Sequence, residues 1–207
     1  MTYGTFVEAF GRFADELYFL SRALGHDETR PMLHHLVIEP SKKSEGEFRG
    51  IASDGYRIHI VDPLSCPDDA GIDCGRWRLL GLSKIPKLKW ELPKLPKQGA
   101  VFMVKITLCD IPPSPDYGKK IPSDKPLFET AFQFDLTKGM MRMDRVGQAV
   151  TRAAAFISSF PEPTTVKPRY IIDLGTENWH VSWYGQTRAV VFESDNRKAV
   201  IMPMYPN

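Results

Sequence analysis

Twice along this chain a helical spacing of apolar residues is followed by short runs rich in β-branched residues, and that repeated order restricts the fold more than any other feature. In Phe6 to Leu24 the residues Phe6, Phe10, Phe13, Leu17, Leu20 and Leu24 recur at alternating spacings of four and three, which is one face of a helix. Gly25 follows directly as a C-terminal stop. Met32 to Glu39 and Phe48 to Asp62 then read as strands, the second broken by Asp54-Gly55, a pair that favours a tight hairpin turn.

The second instance opens at Phe128 to Leu136, where Phe128, Thr130, Phe132 and Phe134 alternate with Glu129, Ala131, Gln133 and Asp135. A helix is predicted from about Leu136 to Phe160. Four short strands are predicted after it, at Tyr170 to Leu174, Trp179 to Tyr184, Arg188 to Glu193 and Lys198 to Met204, with Asp195-Asn196 as the last turn. Between the two instances the pattern loosens into the Lys and Pro alternation of Ser83 to Gln98, with one clear strand at Ala100 to Cys109. Proline at that density excludes a regular helix. The stretch reads as a surface embellishment or as a linker between two small domains.

The layer rules turn this order into an α+β fold, two helix-plus-antiparallel-strand repeats separated by a Pro/Lys-rich insertion. Repeat one covers about 1–64, the insertion about 65–126 and repeat two about 127–207, taken together as a single domain. A chain of 207 residues that is 43% hydrophobic can bury such a core. Glu8, Arg12, Asp15 and Glu16 interrupt the apolar residues near the start, so neither a signal peptide nor a membrane span is expected, and a cytoplasmic protein is. Cys66, Cys74 and Cys109 match no paired zinc spacing and read as reduced thiols.

The net charge of +2 does not by itself announce nucleic-acid binding, so any such affinity must come from where the charges sit. On the second helix Lys138, Arg142, Arg145 and Arg152 fall within one narrow arc, while Met143, Val146, Val150, Ala153 and Ile157 fall beside it toward a buried face. Aligned cations can reach successive phosphates of duplex DNA without reading bases. A solvated basic face is the plain alternative. The first helix is more acidic, with Glu8, Asp15 and Glu16 against Arg12 and Arg22.

Three segments carry a family resemblance. Arg30 to Glu39 with Gly50 to Asp62, including Ser53-Asp54-Gly55-Tyr56-Arg57-Ile58, resembles the bacterial β sliding clamp, the processivity subunit of DNA polymerase III. There a strand beginning at Arg-Pro precedes a Thr-Asp-Gly-His-Arg-Leu hairpin. Ala199 to Met204 is similar to the family's terminal strand ending in Val-Met-Pro-Met, and Pro115 to Pro122 is similar to the Pro-Asp-Tyr segment that joins two clamp domains.

The resemblance implies a DNA-clamp-like fold, contact with duplex DNA, and a pocket for the short, partly hydrophobic peptides of polymerase, clamp-loader and repair proteins. The implied pocket residues are Ser53, Gly55, Tyr56, Arg57, Ile58, Pro115, Lys119, Met202, Pro203 and Met204. Methionines there would repack around varied side chains, and Arg57 or Lys119 would hold a polar or acidic flank. Tyr56 replaces the family's His, and Tyr205-Pro206-Asn207 its basic tail. A bacterial clamp subunit has three such domains, so a ring of this shorter chain would need several copies as a homo-oligomer. A monomeric clamp-like module that captures peptides without encircling DNA is the second reading.

His34 and His35 are adjacent on a predicted strand and point to opposite faces, so no metal site is expected. Trp179 and Trp183 share a strand face and read as core. No nucleophile elbow, zinc-protease, P-loop or dinucleotide fingerprint is present, so neither an enzyme nor a cofactor is expected.

Overall fold

The computed structural model describes residues 2–80, 101–107, 117–133, 142–175 and 177–204. The predicted segment 83–98, Lys138, Pro115, Cys109 and Trp90 lie outside them. The elements are β1 (Thr2–Ala9), α1 (Gly11–Ser21), β2 (Leu36–Pro40), β3 (Phe48–Ser53), β4 (Arg57–Val61), β5 (Gly75–Leu80), β6 (Val101–Thr107), β7 (Phe128–Gln133), α2 (Arg142–Ile157), α3 (Pro168–Ile172), β8 (Asn178–Trp183), β9 (Val190–Ser194) and β10 (Arg197–Ile201). They fall into two compact units, Met1–Gly55 with His59–Pro115, and Tyr56–Ile58 with Asp116–Asn207.

In the first unit neighbouring strands follow the order β1-β6-β5-β2-β3-β4. β1 with β6, β6 with β5, β5 with β2 and β2 with β3 are all antiparallel. α1 packs on β1, β3 and β6 and buries Phe13, Ala14, Leu17, Phe19 and Leu20. The Phe19 ring stacks on His59 at 4.3 Å, and His59 Nδ1 donates to the Phe19 carbonyl at 2.7 Å. Glu16 is also fully buried on this face. Its carboxylate accepts hydrogen bonds from Arg12 Nε at 3.0 Å and from the Ser65 amide and hydroxyl at 2.7 and 2.9 Å, which satisfies a group that would otherwise be costly to bury. The adjoining Cys66 thiol is pushed up to about 12, chiefly by burial and then by Glu16, so it stays protonated. Cys66 and Cys74 are both free thiols.

In the second unit the Tyr56–Ile58 end of β4 is followed across the sheet by β10, β9, β8 and β7. β10 with β9, β9 with β8 and β8 with β7 are antiparallel. Trp179, Val181 and Trp183 of β8 share the buried face, as alternation demands. α2 lays Ala149, Ala153 and Phe156 over it. Phe156 meets Phe132 of β7 at 4.1 Å between centroids and Phe192 of β9 at 6.1 Å, while Phe160 stacks on Trp183 at 6.2 Å.

Five expectations from the sequence are corrected. The helix expected over Phe6 to Leu24 is a strand, β1, followed by a shorter helix. Phe10 is extended rather than helical and Gly11 has a φ of +54, so the four-three spacing crosses a break in the chain, and Phe6 and Phe10 are about half exposed. Residues Pro31–His34 form a 3-10 turn, and the strand expected from Met32 starts only at Leu36. Tyr170 to Leu174, expected as a strand from its Tyr-Ile-Ile, is mostly the helix α3, which Pro168 starts by presetting φ where no amide donor is needed. β5, inside the loosely patterned region, was not expected. Val150, expected on the buried face of α2, is 41% exposed because that face centres on Ala149, Ala153 and Phe156.

The start expected near Leu136 for the second helix lies outside the described residues; among the elements that are described, the hairpin at Asp54-Gly55 joins β3 to β4 as expected, and Gly55 has the positive φ of +91 such a turn needs. The half-exposed alternation of Phe128 to Gln133 is seen along β7.

One surface pair gives a pH expectation. Arg188 donates through Nη1 and Nη2 to the two Asp124 oxygens, both at 2.6 Å, and this pairing lowers the carboxyl to about 2 from its ordinary 3.8. A depressed folded pKa means that its contribution to stability is present above about pH 4 and is lost as pH falls through about 2. Carboxyl-carbon NMR should give that low midpoint in the native protein and a return to the ordinary aspartate range in Arg188→Ala.

Candidate functional site

In the second unit two segments far apart in sequence come side by side. The amide of Met202 donates to the carbonyl of Tyr56 at 2.8 Å, so the chain leaving β10 lies against the start of β4. The amide of Met204 donates to the carbonyl of Thr165 at 2.7 Å, which ties the same segment to the residues just before α3. Met202, Pro203 and Met204 are half-buried, Tyr56 is 49% exposed and Ile58 is buried. The result is an apolar shelf built from two methionines, a proline and a tyrosine ring.

Beneath it lies a buried charge pair. Arg57 Nη1 donates to Asp173 Oδ2 at 2.8 Å, with both side chains under a tenth exposed. The Arg57 guanidinium also lies 4.4 Å from the centre of the Tyr170 ring. Arg169, one helical turn before Asp173, donates through Nε to the other carboxylate oxygen at 3.0 Å while remaining mostly exposed itself. Lys167, exposed just before α3, places its ammonium 5.6 Å from both the Tyr56 and the Tyr170 ring centres.

A groove of about 360 Å³ opens in the same unit, lined by Ile157, Ser158, Phe160, Glu162, Pro163, Thr164 and Thr165. Thr165 is the residue that holds Met204, so the groove adjoins the far end of the shelf. The arrangement offers apolar surface beside a groove and a cation at one side, ingredients for holding a linear peptide.

The remaining sequence-derived residues are placed as follows. Ser53 is buried in the first unit, where its hydroxyl accepts the Gly55 amide at 3.0 Å and shapes the turn that leads into Tyr56. A Cβ on Gly55 would come within 3.1 Å of the Arg30 guanidinium, a second reason for glycine there. Lys119 is exposed in a 3-10 turn, Tyr117–Lys120, and Pro115 lies outside the described residues. Arg142, Arg145 and Arg152 all belong to α2, with Arg152 exposed, and Lys138 lies outside the described residues. His34 is half exposed and His35 buried, and no metal-holding group of three His, Cys, Asp or Glu occurs among the described residues.

Sequence reading missed Lys167, Arg169, Tyr170 and Asp173. Arg169 and Asp173, four residues apart, were the available signal for a helical ion pair, but the strand assignment of that stretch hid it.

No protein-family model matches the chain and no curated protein matches its sequence. Solved structures do match its fold. The DNA polymerase III β subunit of Caulobacter crescentus is 17% identical with a TM-score of 0.54, and the match takes in all of this chain and 68% of that one. The DNA polymerase sliding clamp of Bacillus subtilis is 14% identical with a TM-score of 0.54, over 98% of this chain and 65% of that one. The sliding clamp of Bartonella birtlesii, solved bound to griselimycin, is 16% identical with a TM-score of 0.53, over 100% and 68%. The chain therefore spans about two thirds of the length of these clamps and has, at the level of strand and helix arrangement, the bacterial sliding-clamp fold. No described helix is long and apolar enough to cross a membrane.

Proposed function

We propose that this chain is a sliding-clamp-like processivity factor that acts by binding rather than by catalysis, contacting duplex DNA without sequence preference and docking replication or repair proteins through the shelf at Tyr56 to Ile58 and Met202 to Met204. The observation that carries the reading is the convergence of those two segments on one surface, tied by the Met202 to Tyr56 hydrogen bond at 2.8 Å. The clamp fold of the solved structures supports it. The order strand, helix, three strands occurs twice, as β1-α1-β2-β3-β4 and β7-α2-β8-β9-β10 with the short α3 added, and this favours reading the chain as two clamp repeats around 65–126. On this reading the protein works in the cytoplasm, its partners are DNA and polymerase or clamp-loader subunits carrying a clamp-binding peptide, and several copies assemble head to tail.

Arg57 then acts from below the shelf, since its guanidinium faces Asp173 and Tyr170, and Lys119 is left for the flank of the peptide. DNA contact is assigned to Lys138, Arg142, Arg145 and Arg152.

The test is solution mass by light scattering, with and without nicked circular and linear DNA. A multimer retained on circles and lost from linear ends is expected, with binding that weakens as salt rises. Changing Lys138, Arg142, Arg145 and Arg152 to glutamine should lower the salt slope by roughly one unit per phosphate contact removed. A monomer indifferent to DNA would overturn the clamp reading and leave peptide capture alone.

A further inference from the structure

His35 stands where the 3-10 turn Pro31–His34 hands the chain to β2, and it is only 6% exposed. One ring nitrogen bonds to the Pro31 carbonyl, and because a carbonyl only accepts, that nitrogen carries the single proton of the neutral ring. Nδ1 is then a bare lone pair, buried and with no hydrogen-bond partner among the described residues. His35 is extended and continues the ladder one step beyond the Leu36–Trp77 pair, which sets it opposite Arg78, with Arg76 on the same face two residues away. His34 of the same turn puts its ring centre 6.5 Å from that of His35. On the other side the register of β3 brings up Ser53, which is uncharged.

The charged and titratable groups that act on His35 are therefore His34, Arg78 and Arg76. The acidic residues of the flanking segments are committed elsewhere, Glu39 to Arg49 and Asp73 to Lys105. We infer that His35 is a proton-operated latch: its neutral ring holds the turn onto β2, and protonation, which creates a buried cation beside two arginines with no counter-charge, opens the turn. Burial first, and then these cations, hold its pKa below the ordinary 6.5 against the opposing pull of the Pro31 carbonyl. The open form thus takes up a proton below about 6.5 and the closed form only at lower pH, so closure weakens as pH falls from 6.5.

The moving part is Leu33. Its amide donates to the Arg30 carbonyl at 3.0 Å and its carbonyl accepts from the Gly25 amide at 2.9 Å. A Cβ on Gly25 would meet Leu33 Cβ at 3.0 Å and Asp54 Cα at 3.5 Å, so the turn fills the space between Gly25 and the β3–β4 hairpin. Mild acid loosens that hairpin's support.

Amide exchange of the full chain, followed by NMR, reads the latch at Gly25 as a protection factor, which removes the intrinsic pH dependence of exchange. Protection is expected to be about tenfold lower at about pH 5.5 than at about pH 7.5, the ratio set by an ordinary histidine in the open form. His35→Gln keeps a donor for Pro31 but takes up no proton, so its protection should be equal at the two values. Arg78→Gln should shrink the drop by making the protonated ring more tolerable. No drop in the parent, or a drop that persists in His35→Gln, overturns the inference. Ring-carbon NMR of the parent needs no variant: a His35 that titrates near 6.5 with Gly25 protection unchanged also overturns it.

Discussion

Asp173→Ala is expected to cost the protein about 3–5 kcal/mol of stability, one of the two largest single-residue losses foreseen here. The carboxylate is almost wholly buried and answers two guanidiniums. Arg169 is mostly exposed, so losing its partner returns it to water at little expense. Arg57 is buried, and Asp173→Ala takes away the carboxylate that its desolvated charge faces. Urea denaturation followed by circular dichroism measures the loss. The double variant Arg57→Met with Asp173→Leu should recover most of it, because a well-packed apolar pair is often as stable as the ion pair it replaces. An alanine variant within about 1 kcal/mol of the parent would mean that water reaches Arg57.

Trp183→Ala is expected to cost a similar amount, about 3–5 kcal/mol, by a different route. The indole is buried at the end of β8, stacked on Phe160, and its Nε1 donates to the Thr164 hydroxyl at 3.0 Å. Removing it leaves a cavity and a buried hydroxyl short of a partner. Trp183→Phe keeps much of the apolar volume and should cost about 1–2 kcal/mol, the difference reporting the hydrogen bond and the lost ring area together. Because Thr164 lines the groove and Thr165 holds Met204, both variants should also loosen the shelf, read as faster amide exchange at Met204.

How much of this could be read from sequence depends on where each contact's partner lies. The Asp54-Gly55 hairpin and β7 were legible because a turn that needs a positive φ and an alternation of period two are local facts. The Phe6 to Leu24 helix was overextended because spacing alone cannot see that Gly11 leaves the helical region just as the helix begins. β5 went unread because Gly-Arg-Trp-Arg-Leu-Leu sits amid proline-rich sequence with arginines on alternate positions, and its strand character comes from pairing with β2 and β6. Only the outline of the candidate site was legible, and that through a resemblance at Tyr56 to Ile58 and Met202 to Met204. Asp173 was invisible because its partner, Arg57, lies 116 positions earlier.

That same separation governs when the shelf exists. Tyr56 to Ile58 leave the first unit's run of sequence to join a surface whose other half, Met202 to Met204, comes much later in the sequence. During synthesis Tyr56 must therefore wait until Met202 has cleared the ribosome before that neighbour can reach it. A truncated or proteolytically clipped chain that lost Met202 to Met204 would keep the Tyr56 half and lose the rest of the shelf. The shelf can thus form only after both of its segments have been made, a dependence written into topology.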